Sequence, residues 1–516
     1  MSDSVETPTR VKFAVAGILL LATILRFWAI GSGIPHTTGT DEPEILGRSL
    51  AIMKTGNLNP QFFDYGGFTI YLHAAVASAR FISGAMAGEW TSLDQVWEGD
   101  FYLWSRAVTA LFGVMTVYVV YRIGRRWNGT IALIAALMTA VYPNLVREAH
   151  FALTDTPLTF FVAETLLLTL VASETGLLRW FLIAGITTGL AAATKYNGLV
   201  AVLMPLSAVL MAPTIRRRWP VALAVCGGAV FGFLATAPYT VLDLKNFLNA
   251  FGMLASHFSR DVPAGAAMDT HLKHIRIAFG FPSEGDGWRR SVGWIGFLLS
   301  LFGAAVLVAQ LRSSARRTAA LATLVFPVAY FWLITHQSLI FARYALPMIP
   351  MMCLSLAIAI WTIGHRLSGP GGMIRWPLIP LLTALVVLPM ATQSVSGDRG
   401  LDKVSTEELA ARWIQANIPA GKLILMDDPR IRLPPAFPRM TNTRLTYEPL
   451  EKYRDQGVAY IVTSSQQTDR IFQDPNGHRD EYLYWQKLLA SAEMMKVINP
   501  VKDVIPGSTI TILKMR

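Results

Sequence analysis

Three carboxylates crowd the stretch Gly39-Thr40-Asp41-Glu42-Pro43-Glu44, directly after the first long apolar run of an otherwise largely hydrophobic chain. Charge at a membrane boundary is costly unless it is solvated, paired or used, so Asp41 and Glu42 are the first candidates for chemistry. Three more polar constellations stand at the ends of apolar runs. They are Arg147-Glu148-Ala149-His150 leading to Asp155, then Thr194-Lys195-Tyr196-Asn197-Gly198, then His336-Gln337-Ser338 followed by Phe341-Ala342-Arg343-Tyr344. Each has an ordinary structural reading. Acidic residues favour a helix start, Asp155 with Pro157 two residues on suits a helix cap, a lysine flanking a span snorkels, and Arg343 can pair with a lipid headgroup. Together, carboxylates and separated cations on one membrane face suit a different chemistry, in which a proton is removed from an acceptor while a phosphate leaving group is neutralised.

The elements that hold these residues must be membrane spans. Of 516 residues 53% are hydrophobic and 15% charged, against about 25% charged in soluble domains. The net charge of +11 calls for no nucleic-acid partner, because the arginines cluster in short segments between apolar runs, as the positive-inside bias predicts. Cys226 and Cys353 lie inside apolar runs and carry no disulfide or metal pattern. The polar N-terminus leads into 11–30, which is too long for a signal-peptide core and is read as an uncleaved first span.

About eleven spans of the length that crosses roughly 30 Å of hydrocarbon fall near 12–30, 103–121, 129–145, 156–172, 178–194, 197–212, 219–237, 292–311, 318–334, 345–364 and 376–393. The segment 68–87 is apolar but broken by His73, Ser78, Arg80 and Ser83. With the N-terminus cytoplasmic and that segment lying in the interface, the clusters Arg122/Arg125/Arg126, Arg179, Arg216/Arg217/Arg218, Arg312/Arg316/Arg317 and Arg366/Arg375 all face the cytoplasm. If 68–87 crosses instead, nearly every cluster is inverted. The expected organisation is therefore a membrane domain over 1–395, with a first outer loop at 31–102 and another at 238–291, and an outer α/β domain over 396–516.

In that tail, Ser405-Thr406-Glu407-Glu408 opens a helix with an apolar stripe at Leu409, Trp413 and Ile414. Strand-like runs at 423–426, 458–463 and 509–513 alternate with helical stretches near 447–455 and 480–492. In the 238–291 loop, His257, Arg260, Asp261, His271, Lys273 and His274 match no metal-ligand spacing and read as solvated surface.

The acidic pair after the first span, the run Ala152-Leu153-Thr154-Asp155-Thr156-Pro157-Leu158-Thr159-Phe160-Phe161, Thr194-Lys195-Tyr196-Asn197-Gly198 and Arg343-Tyr344-Ala345-Leu346-Pro347 together resemble the GT-C superfamily of integral-membrane glycosyltransferases. Within it the resemblance is to the branch of protein O-mannosyltransferases and lipid A aminoarabinose transferases, over about residues 12–395. It implies an α-helical polytopic fold with interfacial helices in the first outer loop. It also implies inverting transfer of a hexosyl or pentosyl group from a polyprenyl-phosphate donor to a lipid, glycan or protein acceptor on the non-cytoplasmic side.

Carried over by residue, the resemblance makes Asp41 the catalytic carboxylate with Glu42 beside it, Asp155 the second acidic position, and Lys195 and Arg343 the cations at the donor phosphate. Arg147, His150, His336 and Tyr344 are supporting candidates. A divalent cation could bridge Asp41, Asp155 and phosphate; some members of the superfamily depend on metal and others do not. Where many relatives carry a Pro-Pro pair, this chain has Asp64-Tyr65-Gly66-Gly67. The expected location is a bacterial inner membrane with a periplasmic site. The competing reading, a lipid-linked-sugar flippase or transporter, predicts charges at the bilayer midplane and repeat symmetry, whereas these charges lie at span ends.

Overall fold

A computed structural model describes residues 9–39, 41–258, 267–280, 287–337, 341–367 and 375–516. Its helices are α1 (Thr9–Phe27), α2 (Glu42–Thr55), α3 (Gly67–Met86), α4 (Tyr102–Gly124), α5 (Gly129–Val141), α6 (Pro143–Arg147), α7 (Asp155–Thr175), α8 (Leu178–Thr194), α9 (Leu203–Met211), α10 (Arg218–Thr236), α11 (Tyr239–Leu242), α12 (Leu244–Phe258), α13 (Ala267–Phe279), α14 (Trp288–Gln310), α15 (Arg317–Thr335), α16 (Ile349–Leu367) and α17 (Arg375–Leu401). Two 3-10 segments carry polar residues of interest: Tyr196–Val202, which leads into α9, and Ala342–Met348, which leads into α16.

The apolar runs named from the sequence fall mostly on these helices and on the two 3-10 segments that lead into them, so this is a multi-pass membrane protein. Among the described residues, seven helices are long and apolar enough to cross a bilayer, or eight if the pair bent by 60° at Tyr142 counts as one span. The remaining runs fall short for visible reasons. α8 has 17 residues, the run near 197–212 is divided between a 3-10 segment and α9, and α1 carries Arg10, Lys12 and Arg26. α3, which covers the segment 68–87, is not one of the seven. The expected outer loop at 238–291 carries α11, α12 and α13.

Two compact units divide the chain, the first comprising residues 1–28, 48–76 and 106–397 and the second 29–47, 77–105 and 398–516. In the first unit α7 is buried on nearly all sides, the mark of a central helix. α8 and α10 approach closely because a Cβ on Gly185 would meet the Val225 carbonyl oxygen at 2.3 Å, the small-residue packing of helices in lipid. Arg26, inside α1 and buried, donates to the carbonyls of Ala140 at 2.9 Å and Thr139 at 3.2 Å. Those carbonyls end α5, where the bend leaves them without a helical partner.

The second unit contains a mixed five-stranded sheet in the order β2-β1-β3-β5-β4, built from β1 (Leu423–Met426), β2 (Arg439–Thr441), β3 (Val458–Ser464), β4 (Ala492–Ile498) and β5 (Ile510–Met515). Four helices accompany it: α18 (Thr406–Asn417), α19 (Leu450–Asp455), α20 (Ser465–Gln473) and α21 (Arg479–Ser491). β1 runs parallel to β2 and β3, and β5 runs antiparallel to β3 and β4. Alternation along the strands sorts the core. Ile424, Met426 and Val462 pack on Ala410 and Ile414 of α18, while Leu425 and Ile461 pack with Tyr453, Trp485 and Leu488 on the other face.

As expected, Ser405 caps α18 by accepting from the Glu408 amide. The helical stretch read near 480–492 is α21, which ends at Ser491 where Ala492 begins the edge strand β4. β4 and the three-residue β2 lacked a sequence signal because neither shows clean apolar alternation. First-loop residues join this unit through a bridge between Thr37 and Ile431 and through Glu98, whose carboxylate pairs with Arg432 at 3.3 Å and with Arg439.

Candidate functional site

Asp155 is the first residue of α7, yet its side chain does not cap the helix, whose N-cap residue is Thr154. Its Oδ1 instead accepts from Lys195 Nζ at 3.0 Å, and Arg343 Nε lies 3.8 Å from Oδ2. The carboxylate side chain is 5% exposed and so buried, while Lys195 and Arg343 are partly exposed at 16% and 23%.

Lys195 stands where α8 ends. Its extended backbone leaves the helix, and Gly198 then donates to its carbonyl at 2.8 Å as the chain enters the 3-10 segment. The ammonium also lies 4.6 Å from the centre of the Tyr344 ring, a cation–π contact strengthened by desolvation. Arg343 and Tyr344 come from the segment Ala342–Met348, so residues far apart in sequence are held by three helix ends. Asn197 donates to the Tyr330 hydroxyl at 2.9 Å, tying the Lys195 turn to α15.

The segment Asp64-Tyr65-Gly66-Gly67 lies against the same turn. Tyr196 Oη lies 2.9 Å from the Phe63 carbonyl and 3.1 Å from that of Tyr65, while its ring packs edge-on against Phe247 and Phe251 of α12. A Cβ at Gly66 would fall 2.0 Å from the Ala193 carbonyl oxygen. The backbone approaches α8 closely here because no side chain intervenes.

Glu148, named in the sequence only as part of its constellation and given no role of its own there, is buried. It couples electrostatically to Asp155, Arg147, Arg343 and Lys195, and its Oε1 lies 3.9 Å from Arg147 Nε. No spacing rule pairs it with Asp155, so its coupling to that residue had no sequence signal. Lys195 and Arg343 share the buried Asp155 carboxylate, and two cations held on one poorly solvated acid can also receive a further anion.

The other expected residues are placed as follows. Tyr344 joins the cluster. His150 is buried, with Nδ1 at 2.9 Å from the Val146 carbonyl and Nε2 at 2.7 Å from that of Trp28, so both ring nitrogens serve as struts. Arg147 is largely exposed. His336 ends α15, exposed, with Nδ1 at 2.6 Å from the Trp332 carbonyl and its ring on Trp332.

Asp41 and Glu42 belong to the second unit, at the start of α2. Glu42 is fully buried and accepts from the Gly39 amide at 2.6 Å, and Asp41 is half-buried. Thr40, Ser338, Arg260, Asp261 and the side chains of His257, His271 and His274 lie outside the described residues, and Lys273 is exposed. Among the described residues no group of three or more His, Cys, Asp or Glu could hold a metal ion. Both Asp155 oxygens face cations, which suits an ion-pair network and does not suit a metal ligand.

Residues 101–241 match the family model for dolichyl-phosphate-mannose-protein mannosyltransferase. Comparison with curated protein sequences finds no match. The chain is similar to the crystal structure of ArnT from Cupriavidus metallidurans in the apo state, with a TM-score of 0.58 and 17% identity over 98% of this chain and 97% of that one. It is similar also to ArnT bound to undecaprenyl phosphate, at 0.52 and 16% over 98% of each. A third similar structure is the apo oligosaccharyltransferase of Archaeoglobus fulgidus, at 0.57 and 13% over 90% of this chain and 70% of that one. The fold is that of the GT-C superfamily.

Proposed function

We propose that this chain is an inverting glycosyltransferase that moves a sugar from a polyprenyl-phosphate-linked donor to an acceptor on the non-cytoplasmic face of a bacterial inner membrane. The observation that carries the reading is the buried Asp155 carboxylate on which Lys195 and Arg343 converge within a GT-C fold. ArnT, similar in fold, has been solved with undecaprenyl phosphate bound, which supports a lipid phosphate as the anion this cluster takes.

The chemistry follows from charge. Breaking the bond between the anomeric carbon and phosphate leaves negative charge on oxygen, and Lys195 and Arg343 receive it by charge-assisted hydrogen bonds. Asp155 holds the two cations together until the phosphate replaces it as their partner. Asp41 supplies the base in this reading: it takes the proton from an acceptor hydroxyl or amine that attacks opposite the leaving phosphate. No acid is required, because phosphate leaves unaided; this is the base half of an inverting displacement.

The test is transfer by purified protein from a labelled polyprenyl-phosphate sugar. Asp41→Asn keeps the shape and removes the base, so transfer should fall by about a thousandfold while donor binding persists. Wild-type turnover in that variant refutes the assignment of the base.

A further inference from the structure

A second cationic site lies at the end of α4 that the transfer chemistry does not use. There a cavity of about 440 Å³ is lined by Tyr118, Tyr121, Arg122, Arg125 and Arg126. The arginine side chains are set by their neighbours: Arg122 donates to the Tyr118 hydroxyl at 3.2 Å, Arg125 to that of Tyr121 at 3.2 Å, and Arg126 pairs with Glu174 of α7. Arg316 brings a fourth guanidinium, donating to the Arg126 carbonyl at 2.6 Å. Two carboxylates face this group, Glu174 on Arg126 and Glu164 on Arg122. Among the described contacts, four cations meet two anions.

The positive-inside bias explains why arginines occur at this end of a span. It does not explain why they line a cavity with two phenol hydroxyls. A planar guanidinium presents paired donors that match phosphate oxygens, and tyrosine hydroxyls extend such a donor set.

What brings the phosphate is indicated by the face of α4 that leads to the cavity. Leu111, Met115 and Tyr118 are 50%, 40% and 42% exposed on a helix long and apolar enough to cross the bilayer, and Arg122 continues the same stripe one turn on. An acyl chain lying along this stripe would deliver its headgroup to Arg122.

We propose that this cavity binds the phosphate headgroup of an anionic phospholipid, with the acyl chain along Leu111, Met115 and Tyr118. Basic pockets at span ends are a general means of holding such headgroups. The site is independent of the donor cluster at Lys195 and Arg343.

Native mass spectrometry of the delipidated full-length protein tests this, using phosphatidylglycerol, phosphatidylcholine and inorganic pyrophosphate as probes. The expected result is retention of phosphatidylglycerol with on the order of tenfold preference over phosphatidylcholine, lost in the double variant Arg122→Gln/Arg125→Gln and kept in Arg122→Lys/Arg125→Lys. Equal retention of the two lipids by the wild-type protein, a measurement that needs no variant to fold, overturns the proposal. So does undiminished phosphatidylglycerol binding by the glutamine variant. Pyrophosphate that binds and displaces the lipid as tightly as phosphatidylglycerol itself binds assigns the cavity to a soluble phosphate and overturns the lipid.

Discussion

At Asp155 two demands compete for one carboxylate. The first turn of a helix favours an acid through the dipole, and Lys195 with Arg343 demand an anion to keep two partly buried cations together. The side chain answers the second demand, since Thr154 stands at the cap and the carboxylate meets Lys195 at 3.0 Å. Removing one partner from a buried ion pair costs about 3 kcal/mol when the remaining charge stays buried, and less here because Lys195 and Arg343 are partly exposed. Asp155→Ala should therefore lower the melting temperature, and undecaprenyl phosphate should raise that variant's melting temperature more than the wild type's, the lipid phosphate standing in for the lost carboxylate. An equal shift in both proteins would separate Asp155 from the phosphate site. Lys195→Ala and Arg343→Ala each remove a charge-assisted hydrogen bond worth about 1.5–3 kcal/mol, so the KM for donor should rise by roughly ten- to a hundredfold in transfer assays. An unchanged KM in either variant counts against its phosphate role.

Among the elements, the turn that carries Lys195 is held by its neighbours more than by its own sequence. Tyr196 bonds to the carbonyls of Phe63 and Tyr65, and Gly66 lets that segment lie against the end of α8. Gly66→Ala would place a methyl group 2.0 Å from the Ala193 carbonyl oxygen, and overpacking of this kind costs about 1–3 kcal/mol. Thermal unfolding and donor turnover should both suffer. Gly47→Ala, in α2 where a Cβ meets nothing within 4 Å, is the matched control and should be neutral or mildly stabilising. A Gly66→Ala protein as stable as that control would show that the backbone shifts freely here. The close approach at Gly66 thus has its cause in the partner helix end, which the local residues do not show.

For the whole molecule, the tail contributes a pH dependence of its own. Asp427, at the end of β1, is 1% exposed, and burial pushes its carboxyl up to about 7 despite hydrogen bonds from the Thr463 hydroxyl and the Ser464 amide. An acid whose pKa is raised by folding binds its proton more tightly in the folded state. Its stabilisation is full below the unfolded carboxylate range near 4 and is lost as pH rises through about 7. Proteolytic resistance of the second unit in the full-length protein should accordingly be greater at pH 5 than at pH 8, and Asp427→Asn should flatten that difference. A difference that survives the substitution assigns it to another group.

Composition and periodicity were enough for the membrane class, the positions of the apolar helices and the core strands of the tail, because hydrophobic length and alternation are local properties that each segment must satisfy by itself. The candidates Asp155, Lys195 and Arg343 were legible for a related reason: a charge at the end of an apolar span needs an explanation wherever it occurs. Which explanation applies was a tertiary matter. Capping, snorkelling and ion pairing all fit the same residues in sequence, and only the convergence of α7, the end of α8 and the segment before α16 selected pairing. The coupling of Glu148, the struts made by His150, the buried Arg26 at the end of α5 and the edge strand β4 stayed hidden because their partners lie far along the chain or supply no periodic signal. Their roles are set by the solvent that packing removes and by the partner it brings.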